Sequence, residues 1–174
     1  MQVHKSFEHP FDAFVPDGAE VLMLGSFPSI KSFEDNFYYA HPQNQFWKIL
    51  AAVYDEVTPT SIQEKSSFLT KYKIALWDMV QSCERENSLD SNLKNIKVND
   101  IEGFLKEYPT IKKVCFTGKT AQKLYEQNFS HLQISTFYLP SPSPAYRAMK
   151  FDEKVKKYKD ILKVSMKENH ARDI

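Results

Sequence analysis

The stretch Val21-Leu22-Met23-Leu24 constrains this chain more than any other. It is apolar at every position rather than at alternate ones, so both faces must be covered. In a short run bounded by turn residues, that marks a strand inside a parallel sheet. Pro16-Asp17-Gly18 turns the chain into it and Gly25 ends it. Ile74-Ala75-Leu76-Trp77, closed by Asp78, repeats the pattern, and Lys112–Thr117 and Ile134–Leu139 supply a third and a fourth strand, closed by Gly118 and Pro140. Helical spacing fills the gaps. Phe46, Ile49, Leu50 and Val53 put one apolar stripe on a helix ending near Tyr54, and a second helix is expected over Ser61–Tyr72. Asn99 with Glu102 reads as a capping box ahead of a helix over Asp100–Glu107 that stops before Pro109. Ala121, Leu124 and Tyr125 share a face after Gly118, and Val155, Tyr158 and Leu162 share one on a last helix after Asp152. The segment between Gly25 and Phe46 reads as a long loop. Strands alternating with helices predict an α/β fold, a parallel sheet covered on both faces, whose ligands sit beyond the carboxyl ends of the strands.

Length and charge narrow the function. The 174 residues, 42% of them hydrophobic, suit one packed core and leave no room for a second full domain, so residues 5–163 are read as a single domain followed by a polar tail at 164–174. Lys and Arg number 23 against 22 acidic residues, a net charge of +1 that gives no bulk attraction for nucleic acid or anionic lipid; a nucleic-acid site must be a local patch. Cys83 and Cys115 are too few for a disulfide scaffold, a four-cysteine zinc site or an iron–sulfur cluster, so no metal or cofactor is expected. No apolar run reaches the roughly 18 residues of a membrane helix. His4, Lys5, Glu8 and Asp12 interrupt the start of the chain where a signal peptide needs apolar continuity. A cytoplasmic protein, working as a monomer, is expected.

The strand ends carry the candidate chemistry. Gly118-Lys119-Thr120 looks like the end of a phosphate loop, but that pattern requires glycine where Lys113 stands, and a plain strand-to-helix turn is the better account. Ser26 has Leu24 and Pro28 where a nucleophile elbow needs glycines, which rejects a serine hydrolase. In Ser141-Pro142-Ser143-Pro144-Ala145-Tyr146-Arg147, prolines stiffen a loop whose hydroxyls and Arg147 can hold phosphates; the same residues also make a stiff surface turn. Phe37-Tyr38-Tyr39-Ala40-His41-Pro42-Gln43-Asn44-Gln45-Phe46-Trp47 interleaves aromatics, which stack on bases, with amides that read base edges or place a water. Phe46 also belongs to the core face of the following helix. Asp78 is a candidate acid or base, or a loop cap.

These segments together resemble the uracil-DNA glycosylase superfamily, most closely its hypoxanthine-DNA glycosylase branch. The motifs are Gly25-Ser26-Phe27-Pro28-Ser29, Tyr38–Trp47, Leu76-Trp77-Asp78 and Leu139-Pro140-Ser141-Pro142-Ser143-Pro144. The most specific stretch, Tyr-Tyr-Ala-His-Pro-x-Asn-x-Phe-Trp, is also similar to the mismatch-specific uracil/thymine glycosylases. The resemblance implies a three-layer α/β/α fold with a four-stranded parallel sheet. It further implies hydrolysis of the N-glycosidic bond of a deaminated base in DNA, hypoxanthine first and uracil second, by a monofunctional enzyme that flips the base. In the mismatch-specific branch the first loop offers an asparagine to the attacking water; Phe27 stands at that position here and cannot hold one. In the hypoxanthine branch the asparagine of the His-Pro-x-Asn stretch is implicated, which assigns catalysis to Asn44. Gly25, Ser26, Phe27, Ser29, Tyr39 and His41 are then expected at the base, with backbone N–H groups around Ser26 and Phe27 facing its carbonyl and Tyr39 stacking on its ring. Ser141, Ser143, Tyr146 and Arg147 are expected at the DNA backbone. The replacement at Phe27 also motivates a rival reading, a lesion-binding protein of the same fold that has lost catalysis.

Overall fold

The computed structural model describes residues 5–9, 11–28, 30–35, 37–85, 93–144 and 146–164. In chain order its elements are β1 (Lys5–Glu8), β2 (Val21–Gly25), α1 (Ile30–Asp35), α2 (Phe46–Tyr54), α3 (Ile62–Tyr72), β3 (Ile74–Asp78), β4 (Val80–Arg85) and β5 (Lys94–Val98). They continue with α4 (Ile101–Glu107), β6 (Lys113–Thr117), α5 (Lys119–Phe129), β7 (Ser135–Leu139) and α6 (Phe151–Lys159), which runs on into a π-helical turn over Asp160–Val164. The apolar runs become a four-stranded parallel sheet in the order β3-β2-β6-β7. Every residue of β2 and of β6 is buried, as central strands without alternation require.

Strand periodicity splits the core in two. Val21, Met23, Ile74, Leu76, Cys115 and Leu139 point to the face covered by α2, α3 and α6. Leu22, Leu24, Ala75, Val114 and Phe116 point to the face covered by α4 and α5. This is the three-layer α/β/α arrangement. Each helix closes its layer with the stripe its spacing provides: Phe46, Ile49, Leu50 and Val53 from α2, Tyr158 from α6 and Leu162 just beyond it on one side, Ala121, Tyr125 and Phe129 from α5 on the other.

Several expectations need correction. The segment after Gly25 is not loop throughout, because α1 occupies part of it. The cap of α4 is Asp100, whose side chain accepts from the Gly103 N–H at 3.0 Å, and not Asn99. Asn99 is held elsewhere: it is buried and its amide donates to the Asp78 carbonyl at 2.8 Å, while Glu102 turns to Lys106 and His131. α6 begins at Phe151, so Asp152 lies in its first turn. A second sheet was not foreseen. β1, β4 and β5 form an antiparallel sheet in the order β1-β4-β5, one residue beyond the end of β3. Of the expected tail, only Val164 falls within the described residues.

Candidate active site

Alternation along the strands decides which side chains meet at the carboxyl edge. Gly25 follows Val21 and Met23, Asp78 follows Ile74 and Leu76, and Thr117 follows Cys115, so all three face the α2/α6 side at the last position of their strands. Gly25 and Asp78 are register partners. A Cβ on Gly25 would lie 2.6 Å from Asp78 Oδ1, 3.1 Å from the Tyr39 hydroxyl and 3.5 Å from Thr117 Oγ1. No real Cβ fits there; glycine is required because three polar groups converge over its Cα. The Gly25 and Ser26 carbonyls accept from the Met79 and Val80 N–H groups at 2.8 and 3.0 Å, so the first loop is fastened to the chain leaving β3.

Asp78 is buried and paired. Its Oδ2 lies 2.7 Å from His9 Nε2, and His9 Nδ1 lies 2.7 Å from the Phe11 carbonyl. A carbonyl only accepts, so Nδ1 carries a proton and donates it, and Nε2 is the atom that shares a proton with Asp78. Whichever of the two holds it, Oδ2 is engaged and Oδ1 remains an acceptor, with no hydrogen-bond partner among the described residues. His9 is further boxed by Phe11 and Phe27, with ring centroids at 4.7 and 5.9 Å. The Phe27 side chain is thus core, and what Phe27 itself can offer a ligand is backbone. His9 was missed by sequence reasoning, and nothing local marks it: 69 residues separate it from Asp78, and the pairing of β1 with β4 together with the Phe14–Leu76 bridge brings it there.

The aromatic stretch divides cleanly. Phe37, Tyr38, Phe46 and Trp47 are buried in the core, and burial drives the Tyr38 phenol far above its ordinary pKa, so it stays a neutral donor to the Asp12 carbonyl. Tyr39 alone points to the strand ends. Its φ of 53° is left-handed, its ring stacks on Phe46 at 3.9 Å and 9°, and its hydroxyl meets Thr117 Oγ1 at 2.8 Å. His41 and Asn44 close a tight turn, with the Asn44 N–H donating to the His41 carbonyl at 2.9 Å and the Gln43 N–H to His41 Nδ1 at 3.1 Å. Asn44 Oδ1 accepts the first N–H of α2, from Phe46, at 2.9 Å. The amide is thereby oriented: its oxygen is spent on the helix and its Nδ2 donor has no partner among the described residues.

The proline-rich loop packs against the same helix start. The Gln45 N–H donates to the Pro142 carbonyl at 2.9 Å, Ser141 Oγ accepts from the Ser143 N–H at 3.1 Å, and the Tyr146 N–H donates to the Ser143 carbonyl at 3.1 Å. Gly118 lies against Ser141, where a Cβ would make ordinary contact at 3.4 Å; its φ of 123° is what calls for glycine. Arg147 is exposed, its Nε donating to the Pro144 carbonyl at 3.4 Å. The structure therefore brings Gly25, Ser26, Tyr39, Asn44, Ser141 and Ser143 to one edge, keeps the His41 side chain in its own turn, and leaves Ser29 outside the described residues. Among the described residues no cluster of side chains suits a metal ion, and no helix is long and apolar enough to cross a membrane. The buried Cys115 thiol is pushed up to about 12 and holds its proton.

Residues 11–164 match the model of the uracil DNA glycosylase superfamily. The chain belongs to that superfamily. It is 33% identical over 138 residues to the hypoxanthine DNA glycosylase of Methanosarcina acetivorans, covering 79% of this chain and 87% of the relative. It is 31% identical over the same length to the hypoxanthine DNA glycosylase of Methanosarcina barkeri. Its fold superposes, with a TM-score of 0.77 and 29% identity, on the solution NMR structure of a Methanosarcina acetivorans protein provisionally assigned as a uracil DNA glycosylase, across 89% of this chain and 96% of that one. In this superfamily member the matched residues take in both strand-edge loops, Asp78 and all of α6; β1 and His9 precede them.

Proposed function

We propose that the chain is a monofunctional DNA N-glycosylase that removes deaminated bases, hypoxanthine before uracil, with water as the nucleophile. The observation that carries this reading is the convergence over Gly25 of Asp78 Oδ1, the Tyr39 hydroxyl and Thr117 Oγ1. Deamination converts a ring nitrogen from acceptor to N–H donor: N1 on going from adenine to hypoxanthine, N3 from cytosine to uracil. A carboxyl oxygen with no donor of its own among the described residues, Oδ1 of Asp78 whose Oδ2 is engaged by His9, accepts from that new N–H and repels the lone pair of the undamaged base. Discrimination built on an unpaired buried acceptor is strong, on the order of 10⁴ where the hydrogen bond is lost outright.

Breaking the C1′–N bond sends its electron pair onto the base and leaves an oxocarbenium-like sugar. Water oxygen then bonds to C1′, and the proton it sheds balances the one the departing base gains. Asn44 Nδ2 serves as the donor that stabilises negative charge on the base. Backbone N–H groups of the Ser26–Phe27 segment are assigned the same task. Tyr39, backed by Phe46, is the rigid platform beside the flipped base, while Ser141, Ser143, Tyr146 and Arg147 hold the strand and help offset the few kcal/mol of unstacking.

Single-turnover cleavage of duplexes carrying one hypoxanthine, uracil, xanthine or no lesion, with wild type beside Asn44→Ala, tests this. Cleavage at hypoxanthine that collapses in the variant is expected. Intact DNA with lesion binding retained would instead establish a non-catalytic lesion reader.

A further inference from the structure

α6 carries a lysine where its apolar stripe should be unbroken. Phe151, Lys154, Val155 and Tyr158 fall on one face by helical spacing, and Lys154 is 1% exposed. A buried ammonium is costly without a partner of opposite charge, and no carboxylate pairs with this one among the described residues. Desolvation lowers its pKa accordingly. What surrounds it is informative: Nζ donates to Gln45 Oε1 at 2.8 Å and to the Tyr146 carbonyl at 3.1 Å, and lies 5.2 Å from the centroid of the Tyr146 ring. Gln45 is the neighbour of Asn44 in the chain. Tyr146 is the neighbour of Arg147. One turn further along the same helix, the Tyr158 hydroxyl donates to the Pro140 carbonyl at 2.7 Å, fixing the base of the proline-rich loop.

We infer that Lys154 is a positioning residue that locks the Asn44 turn and the Ser141–Arg147 loop into one unit, so that gripping the DNA backbone and presenting the Asn44 amide to the flipped base occur together. A methionine of similar length would fill the space at no desolvation cost, and burying an apolar side chain there is often as stable as burying a charge. A lysine at this position therefore serves geometry better than it serves stability. Gln45 meets the proline-rich loop through one backbone bond, to Pro142, while Tyr146 is otherwise held by Ser143 and Tyr138 and not by the Asn44 turn; the ammonium adds two further points of attachment between turn and loop, and positional error of about 1 Å at a reacting centre can cost on the order of 10²-fold in rate.

This rests on the glycosylase reading, and the test separates the two. Amide hydrogen exchange is measured on wild type, Lys154→Met and Gln45→Met, alongside single-turnover cleavage of hypoxanthine DNA and the enzyme concentration that half-saturates it. Lys154→Met should raise exchange at the Gln45 and Tyr146 amides together by tenfold or more while β2 and β6 stay protected. It should also cut the single-turnover rate and weaken half-saturation, each by about tenfold per folded molecule. Gln45→Met should loosen Tyr146 across the gap, and Lys154→Arg should restore part of both effects. A wild-type protein that cuts no lesion refutes the glycosylase reading and leaves the exchange result to decide the lock. If Lys154→Met only lowers the melting temperature, with exchange in the two loops, rate and half-saturation within twofold of wild type, the lock is refuted. Should Lys154→Met fail to fold, the response of the Tyr146 amide to Gln45→Met decides in the same way.

Discussion

The Tyr39 hydroxyl meets Thr117 Oγ1 at 2.8 Å, tying the aromatic loop to the end of a central strand. Thr117 directs its own proton toward the Leu24 carbonyl at 3.4 Å, which makes Tyr39 the donor of the shorter bond. With one ring face already stacked on Phe46, the hydroxyl is what fixes the tilt of the ring over Gly25. Tyr39→Phe keeps the stack and loses the tether. It is expected to cost about 1 kcal/mol of stability and to slow cleavage more than it weakens DNA binding, which thermal unfolding and single-turnover rates measured side by side will check.

Gly25→Ala is expected to fold and to lose cleavage. Its Cβ must occupy space 2.6 Å from Asp78 Oδ1, and Asp78 cannot retreat without breaking its bond to His9. Displacement of the acceptor should lower the rate by about 10²-fold and relax the preference for hypoxanthine over adenine, because the group that rejects the undamaged ring no longer faces it. A rate within threefold of wild type would remove Asp78 from the site.

The parallel sheet could be read because its strands are buried on both faces and so are apolar at every position, a pattern that survives in the linear text. The antiparallel sheet could not. β5 is Lys-Asn-Ile-Lys-Val with four exposed residues, and β4 is separated from β3 by Met79 alone, with Val80 and Cys83 buried three residues apart and so out of strand alternation; they are strands because they pair. Asn99 and Asp100 are equally good caps by type, and the choice between them was made by the Asp78 carbonyl, which took the Asn99 amide. Asn44 and Tyr39 stood out as candidates because polar and aromatic residues cluster just ahead of a helix whose apolar stripe begins only at Phe46; that Tyr39 also packs on Phe46 could not be read from the stretch. His9 had no such signal. Lys154 did, as a charge on an apolar stripe, and the stripe alone could not say what the charge held.

Stability in acid should depend on the start of α3. Ser61 accepts from the Glu64 N–H at 3.0 Å, and Glu64 accepts from the Ser61 and Thr60 N–H groups and the Thr60 hydroxyl, which lowers its pKa from 4.5 to about 2. A carboxyl depressed in the folded state adds stability that is complete above its unfolded pKa and disappears as pH falls through the folded one. The melting temperature of wild type should therefore exceed that of Glu64→Gln at pH 6, and the two should converge between about pH 4.5 and 2. Glutamine keeps the acceptor oxygen, so the comparison isolates the charge. A gap unchanged down to pH 2 would mean the charge contributes nothing to the cap.

Asn44 can act as a donor to the base or as an acceptor that orients water, and its hydrogen bond to the helix separates the two. Because Oδ1 accepts from the Phe46 N–H, the atom left to face the substrate is Nδ2, a donor. Asn44→Asp preserves the acceptor at the helix start and adds negative charge where the helix dipole welcomes it, so its melting temperature should equal or exceed that of wild type. Asn44→Ala gives up the bond and should lose about 1 kcal/mol. Both remove the donor, and both should lower single-turnover cleavage of hypoxanthine DNA by about 10²–10³-fold. A water-orienting role predicts the reverse for aspartate, since a carboxylate is the better acceptor and a base besides. An Asn44→Asp enzyme as fast as wild type, or faster, would therefore assign the residue to the water and leave stabilisation of the departing base to the backbone of the first loop.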